Sequence, residues 1–212
     1  MPCANSSAAG CNRQALQAGV AGLLPPGFAC AVLSIGTDYP LHPDEAGQLA
    51  RAVPVRRREF AAGRAALRAA IAAAGLDLPP DYPIPAGPDR CPRLPAHITA
   101  SLAHDRELAL AVAGPADGTV AGIDIEPLDA ATDGLAEIVA PFDGCDALSA
   151  FVGKEAAYKA QFAVTRQMLE FGQVALTAKG STFVARTPWH RLHGAWVRSP
   201  RHLMALALLR LS

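Results

Sequence analysis

The chain has 212 residues, 51% of them apolar, with basic and acidic side chains equal at 19 each. This composition can fill a sizeable core and excludes intrinsic disorder, and zero net charge argues against non-specific nucleic-acid binding as the main task. The longest apolar run, 203–209, is far too short to span a bilayer, and the N-terminus lacks the basic and apolar regions of a signal peptide. The five cysteines are scattered and contain no C-x-x-C pair. Neither a zinc site nor a disulfide framework is indicated, so reduced thiols in the cytoplasm are expected.

In chain order, residues 14–24 fit a short helix and 28–35 a first, β-leaning strand. His42-Pro43-Asp44-Glu45 reads as a helix start with acids in its first turn. Residues 46–74 are helical by composition; Pro54 divides them into two helices and Gly75 is a natural stop. The second helix carries Arg56-Arg57-Arg58-Glu59-Phe60, Gly63-Arg64, Leu67, Arg68 and Ile71. Phe60, Leu67 and Ile71 fall on one side at helical spacing. Arg56, Arg64 and Arg68 are available to another face, either a solvated basic surface or an anion site. Residues 77–95 are proline-rich and should form an irregular connection. Ile98-Thr99-Ala100-Ser101-Leu102-Ala103-His104 follows, then an apolar strand over 108–113 and a turn over 114–119.

Gly122-Ile123-Asp124-Ile125-Glu126 alternates apolar and acidic residues, which is strand periodicity. Asp124 and Glu126 therefore share one face, and Ile123 and Ile125 point to the other, toward a core. Two carboxylates held side by side repel unless a cation sits between them, and Mg²⁺ suits such oxygen donors. A half-exposed strand with an acidic face is the plainer reading of this pentapeptide alone. Further on, Lys154-Glu155-Ala156-Ala157-Tyr158-Lys159 reads as part of a helix beginning at Gly153, with Glu155 and Lys159 four apart on one face. Between these stretches, 128–148 is the least informative part, with one short helix expected near 135–139. Beyond them, 171–176 and 181–185 read as strands, 189–193 as a loop, and 194–197 with 202–211 as a closing hairpin around Ser199-Pro200. Trp196 belongs to the core.

The two acidic stretches, in this order and at this distance, resemble the 4′-phosphopantetheinyl transferase superfamily, whose signature is a G-[IV]-D-x-E strand followed by a K-E-A-x-x-K helix. Arg56-Arg57-x-Glu59-Phe60 with Gly63-Arg64 is similar to the opening motif of the enterobactin-synthetase-component-D-like, surfactin-type members. Asp89-Arg90-Cys91-Pro92 and Leu94-Pro95 look like the loop before the coenzyme A pocket, with Leu94 where the family usually has tryptophan. The stretch ending in Ser101 and His104 is similar to the family's G-S-[IL]-[ST]-H motif, with Ala100 in place of the glycine. Asp105 follows where a small or neutral residue is usual, and an acid there should favour the charged form of His104. The resemblance runs from about Pro43 to the end of the chain.

The resemblance implies an α+β monomer of two similar halves related by a pseudo-two-fold, 1–118 and 119–212, with the active site between them. It implies transfer of 4′-phosphopantetheine from coenzyme A to a serine of an apo acyl or peptidyl carrier protein, with Mg²⁺ or Mn²⁺ as cofactor. Non-ribosomal peptide, polyketide or siderophore synthesis would be the setting, in the cytoplasm, without nucleic acid or a membrane span. Asp124, Glu126 and Glu155 would hold the metal, and Glu155 and Lys159 would be catalytic. Arg56, Arg64, Arg90, Ser101, His104, Lys154 and Lys159 would bind coenzyme A, with His104 on the 3′-phosphate. Glu59 is expected to orient a neighbouring arginine. A non-catalytic coenzyme A- or carrier-binding homologue and a Mg²⁺-dependent nucleotide pyrophosphohydrolase are the alternatives.

Overall fold

Along Leu108–Pro115, Leu108, Leu110 and Val112 face one way and Ala109, Ala111 and Ala113 the other, and both sets are buried. A strand buried on both faces has to lie between layers, and the rest of the fold is built outward from it. The computed structural model describes residues 4–211; Cys3 lies outside the described residues. The elements run α1 (Ala4–Ala21), β1 (Ala29–Ser34), α2 (Pro43–Gly47), α3 (Pro54–Ala73), β2 (Ile98–His104), β3 (Leu108–Pro115), β4 (Thr119–Pro127), α4 (Leu135–Ile138), β5 (Phe142–Asp143), α5 (Ala147–Thr165), β6 (Ala175–Lys179), β7 (Thr182–Arg186), β8 (Arg191–Arg198) and β9 (His202–Arg210). The chain is α+β.

A three-stranded antiparallel sheet has the order β1-β3-β2, and a six-stranded sheet the order β4-β9-β8-β7-β6-β5, antiparallel except for the β5–β6 pair. Helix α3 lays Ala62, Ala66, Leu67, Ala70 and Ile71 on the alanine face of β3. Small residues on both surfaces allow that close approach. The other face of the first sheet meets Ala121, Ile123 and Ile125 of β4, Met204 and Leu206 of β9, and Leu16 and Val20 of α1. The opposite face of the second sheet receives Val152, Ala156, Ala157 and Ala160 of α5. The layers are thus α3, first sheet, second sheet and α5, with α1 beside the central contact. Ile123 and Ile125 are 0% and 1% exposed, as their alternation with the acids predicts.

Local chemistry explains most differences from the sequence reading. Helix α1 starts ten residues before the expected position, in a stretch of alanine and small polar residues. Pro43 opens only a five-residue helix, capped by the His42 side chain and Glu45, before Pro54 starts α3 as its first helical residue. Helix α5 begins at Ala147 rather than Gly153, because Asp146 caps it by accepting from the Ser149 amide at 2.8 Å. Phe171–Gln173 is a 3-10 turn rather than strand. The expected loop at 189–193 is shortened because β8 pairs with β7 from Arg191 onward. Among the described residues, Cys11, Cys30, Cys91 and Cys145 are free thiols, and no helix is long and apolar enough to cross a membrane.

Candidate active site

The centre of the site is set by a missing side chain. A Cβ on Gly122 would run into the carbonyl oxygen of Ala156 and lie 2.6 Å from the amide nitrogen of Ala160. Glycine therefore lets α5 settle directly on β4. That approach brings Lys159 to the strand, where its ammonium donates to the Ile123 carbonyl at 3.1 Å and to Asp124 Oδ1 at 2.6 Å. Asp124 is 7% exposed, and its second oxygen, Oδ2, is buried with no hydrogen-bond partner.

Three carboxyls interact here. Burial raises the Asp124 carboxyl above its ordinary value, even though the Lys159 ammonium works against it. Burial, then repulsion from Asp124 and Asp105, pushes Glu126 up to about 7. Burial, then Asp124, raises Glu155 as well. A buried orphan oxygen among acids that raise one another describes a site short of positive charge. All the donors are hard carboxylate oxygens, which fit a divalent cation such as Mg²⁺ better than a soft metal. Among the described residues no three acidic, histidine or cysteine side chains stand close enough to hold an ion as placed. Glu126 and Glu155 are only partly buried, so their side chains have room to turn toward Asp124.

Lys159 also lines a cleft of about 1290 Å³ walled by α3, residues 86–98, β2, the start of β4 and the end of α5. Its basic wall contains Arg56, Arg64, Arg90 and His104. Arg56 Nη1 donates to Glu59 Oε2 at 3.2 Å and meets His104 Nε2 at 3.0 Å. Arginine can only donate, so His104 Nε2 accepts and its Nδ1 proton faces the Asp105 carbonyl at 3.3 Å. Glu59 thus holds Arg56 against His104. Arg64 is buried, donates to the Ile84 carbonyl at 2.6 Å and stacks 4.0 Å over the Phe60 ring. Burial lowers its guanidinium to about 10. Arg90 lines the cleft from a left-handed turn position, φ 63°, in a loop closed by the Gly87 amide on the Cys91 carbonyl and the Arg90 amide on the Gly87 carbonyl. Ser101 Oγ accepts the Ile123 amide at 3.2 Å, which leaves its own proton free to donate.

Two expectations meet a different arrangement. Lys154 points away from the cleft: it is 1% exposed and donates to the Phe171 carbonyl at 3.0 Å. Burial lowers its ammonium to about 8. Asp105 does not turn to His104; its carboxylate takes the amides of Glu107 and Leu108, both at 2.7 Å, and lies 2.7 Å from His202 Nε2. The turn after β2 claims the acid before the histidine can. The sequence reading missed Tyr158, Phe162 and Arg166, which line the cleft from α5 and its C-cap. Their spacing of four along one helix face was the available signal. Arg166 also reaches across to Asp89 Oδ2 at 3.1 Å.

Residues 44–114 match the family model for the 4′-phosphopantetheinyl transferase N-terminal domain. That segment contains Arg56, Arg64, Arg90, Ser101 and His104 and ends before the acidic strand. The chain is 34% identical over 164 residues to 4′-phosphopantetheinyl transferase Svp of Streptomyces mobaraensis, covering 69% of this chain and 65% of that protein. It is 32% identical over 148 residues to 4′-phosphopantetheinyl transferase PptT of Mycobacterium tuberculosis, covering 64% of each. It is 31% identical over 168 residues to 4′-phosphopantetheinyl transferase Npt of Nocardia iowensis, covering 73% of this chain and 74% of that protein. The chain spans just under two thirds of the first two relatives and about three quarters of the third.

Proposed function

The chain belongs to the 4′-phosphopantetheinyl transferase superfamily, and on that premise we propose that it transfers 4′-phosphopantetheine from coenzyme A to a serine of an apo carrier protein. The observation that carries the proposal is Lys159. One ammonium joins a basic cleft large enough for a nucleotide with its pantetheine arm to a cluster of charge-starved carboxylates. A pyrophosphate needs both environments: cations for its oxygens and carboxylates for a metal and for the incoming hydroxyl.

In this reading the nucleotide end lies along α3 and β2. Arg56 and His104 stand side by side and would clamp the 3′-phosphate once it displaces their mutual contact, Arg56 and a His104 carrying its proton on Nε2 both donating, with the Ser101 hydroxyl and Arg90 as further donors. Arg64 is fixed in the wall by its Nε bond to the Ile84 carbonyl and its stacking on Phe60, and its two terminal nitrogens are left to donate to the nucleotide. Lys154 is a structural lysine and no longer part of the ligand site. Asp124, Glu126 and Glu155 would hold Mg²⁺ or Mn²⁺, which when bound neutralises charge developing on the pyrophosphate oxygens.

The carrier serine Oγ attacks the β-phosphorus. Glu155, whose raised carboxyl is a better base than an ordinary glutamate, takes the hydroxyl proton. The bond from the β-phosphorus to the bridging oxygen breaks, and adenosine 3′,5′-bisphosphate departs. Lys159 stabilises the departing phosphate.

The same reading divides the chain at 118/119 into halves related by an approximate two-fold, each a sheet with one long helix, α3 or α5, on its outer face. It takes the protein as a cytoplasmic monomer serving peptide or polyketide carriers. Chromatographic detection of adenosine 3′,5′-bisphosphate, released only when both coenzyme A and an apo carrier are present, tests the reaction. Release with coenzyme A alone would instead favour hydrolysis.

A further inference from the structure

We propose that Asp105, His202 and Asn12 form a buried polar pin that positions His104 and Glu126 relative to each other; the proposal rests on the transferase reading above. The three side chains come from the turn after β2, the start of β9, and α1. Asn12 and His202 are 4% and 1% exposed, and the Asp105 side chain is 4% exposed. Asn12 Nδ2 lies 2.9 Å from His202 Nδ1. An amide nitrogen only donates, so Nδ1 accepts and Nε2 carries the proton; Asp105 Oδ2 lies 2.7 Å from Nε2 in a close polar contact that is off the line of a hydrogen bond. Burial would raise the Asp105 carboxyl, but His202 and the Leu108 and Glu107 amides hold it below its ordinary value.

The placement of the pin gives it a task. Asp105 directly follows His104, the clamp residue of the first half. His202 pairs across the sheet with Pro127, which directly follows Glu126. Joining Asp105 to His202 therefore ties the end of β2 to the end of β4. The Ser101–Ile123 hydrogen bond makes a second tie between these strands, three residues from each of His104 and Glu126. A buried polar pair of this kind is weak evidence for stability, because apolar packing of the same volume does as well. Its close polar contacts, unlike apolar packing, are satisfied in only one register between the two layers. The nearby Arg201–Glu107 ion pair spans the same two turns, but its side chains are 53% and 46% exposed, so it adds little. Asp105, His202 and Asn12 are positioning residues and touch no substrate.

The test is calorimetric titration of the full chain, without metal, against coenzyme A and 3′-dephospho-coenzyme A, with melting curves as folding controls. The ratio of the two affinities reads the geometry of the His104 clamp and not the stability of the fold. Asp105→Ala and His202→Asn should each lower that ratio about tenfold, and the double variant no further, since one device is lost in each case. Asp105→Asn keeps the side chain's size but sets an NH2 donor against either His202 Nε2–H or the Glu107 and Leu108 amides, so it should lower the ratio as well. Arg201→Ala should leave the ratio unchanged. A lower melting temperature with an unchanged ratio in Asp105→Ala overturns the proposal, as does an equal fall in Arg201→Ala. Where Asp105→Ala does not fold, Asn12→Ala removes only the outer partner. It should lower the ratio about threefold, and an unchanged ratio there also overturns the pin. A parent chain that binds both ligands equally would instead refute the role of His104 in the transferase reading.

Discussion

Lys159 Nζ and Asp124 Oδ1 stand 2.6 Å apart across the junction of α5 and β4. The contact fills one side of the acidic cluster and leaves Asp124 Oδ2 without a partner on the other. In the proposed mechanism Lys159 guards the carboxylate until substrate oxygens compete for the ammonium. That arrangement exists only because residue 122 has no side chain.

Gly122→Ala should therefore damage both fold and function. The added methyl meets the backbone carbonyl of Ala156, which cannot move without displacing the helix. A loss of about 2 kcal/mol or more in unfolding free energy is expected from such overpacking, with transfer falling further as Lys159 leaves Asp124. Denaturant unfolding beside a rate measurement checks this, and a variant of parent stability would show that α5 is not seated as described.

Glu155→Gln should leave the melting temperature close to the parent's while lowering transfer at least about a hundredfold, the scale of a lost general base. Transfer near the parent rate would remove Glu155 from the mechanism.

Lys154→Met separates the structural lysine from the ligand site. Coenzyme A affinity should stay within about twofold of the parent, and any effect should appear in stability, on the order of 1 kcal/mol for the lost contact to Phe171. A tenfold loss of affinity by calorimetry would return Lys154 to the nucleotide site.

The acidic cluster carries a pH signature. Glu126, raised to about 7 from an ordinary 4.5, binds its proton more tightly in the folded chain than in the unfolded one. Its stabilising contribution is therefore complete below about pH 4.5 and lost as pH rises through 7. Glu155 and Asp124 shift in the same direction. Metal-free protein should accordingly lose melting temperature between pH 5 and 8. Added Mg²⁺ favours the ionised carboxylates and should stabilise more at pH 8 than at pH 6. A Mg²⁺ effect independent of pH would argue against ligation by these three acids.

The acidic strand and the lysine helix were legible because each carries its chemistry at the period of its own element: Asp124 and Glu126 two apart, Glu155 and Lys159 four apart. Glu59 was legible as a partner for arginine because the two lie one helical turn apart. Lys154 was not, since one residue along a helix turns the side chain by about 100° and sends it beneath Phe171 rather than into the cleft. Asp105 was misread because sequence adjacency to His104 hid a turn whose amides, and a histidine 97 positions on, take the carboxylate first. The pin and the Arg166–Asp89 contact join residues far apart in the chain, and no local periodicity reports such pairs.

The central claim is tested most directly by intact-protein mass spectrometry of an apo peptide-synthetase carrier and an apo fatty-acid carrier incubated with this chain, coenzyme A and Mg²⁺. The account predicts a mass gain of one phosphopantetheine on at least the peptide-synthetase carrier, abolished by EDTA and by Glu155→Gln. Unmodified carriers, with coenzyme A either intact and bound or cleaved to nucleotide, would contradict it.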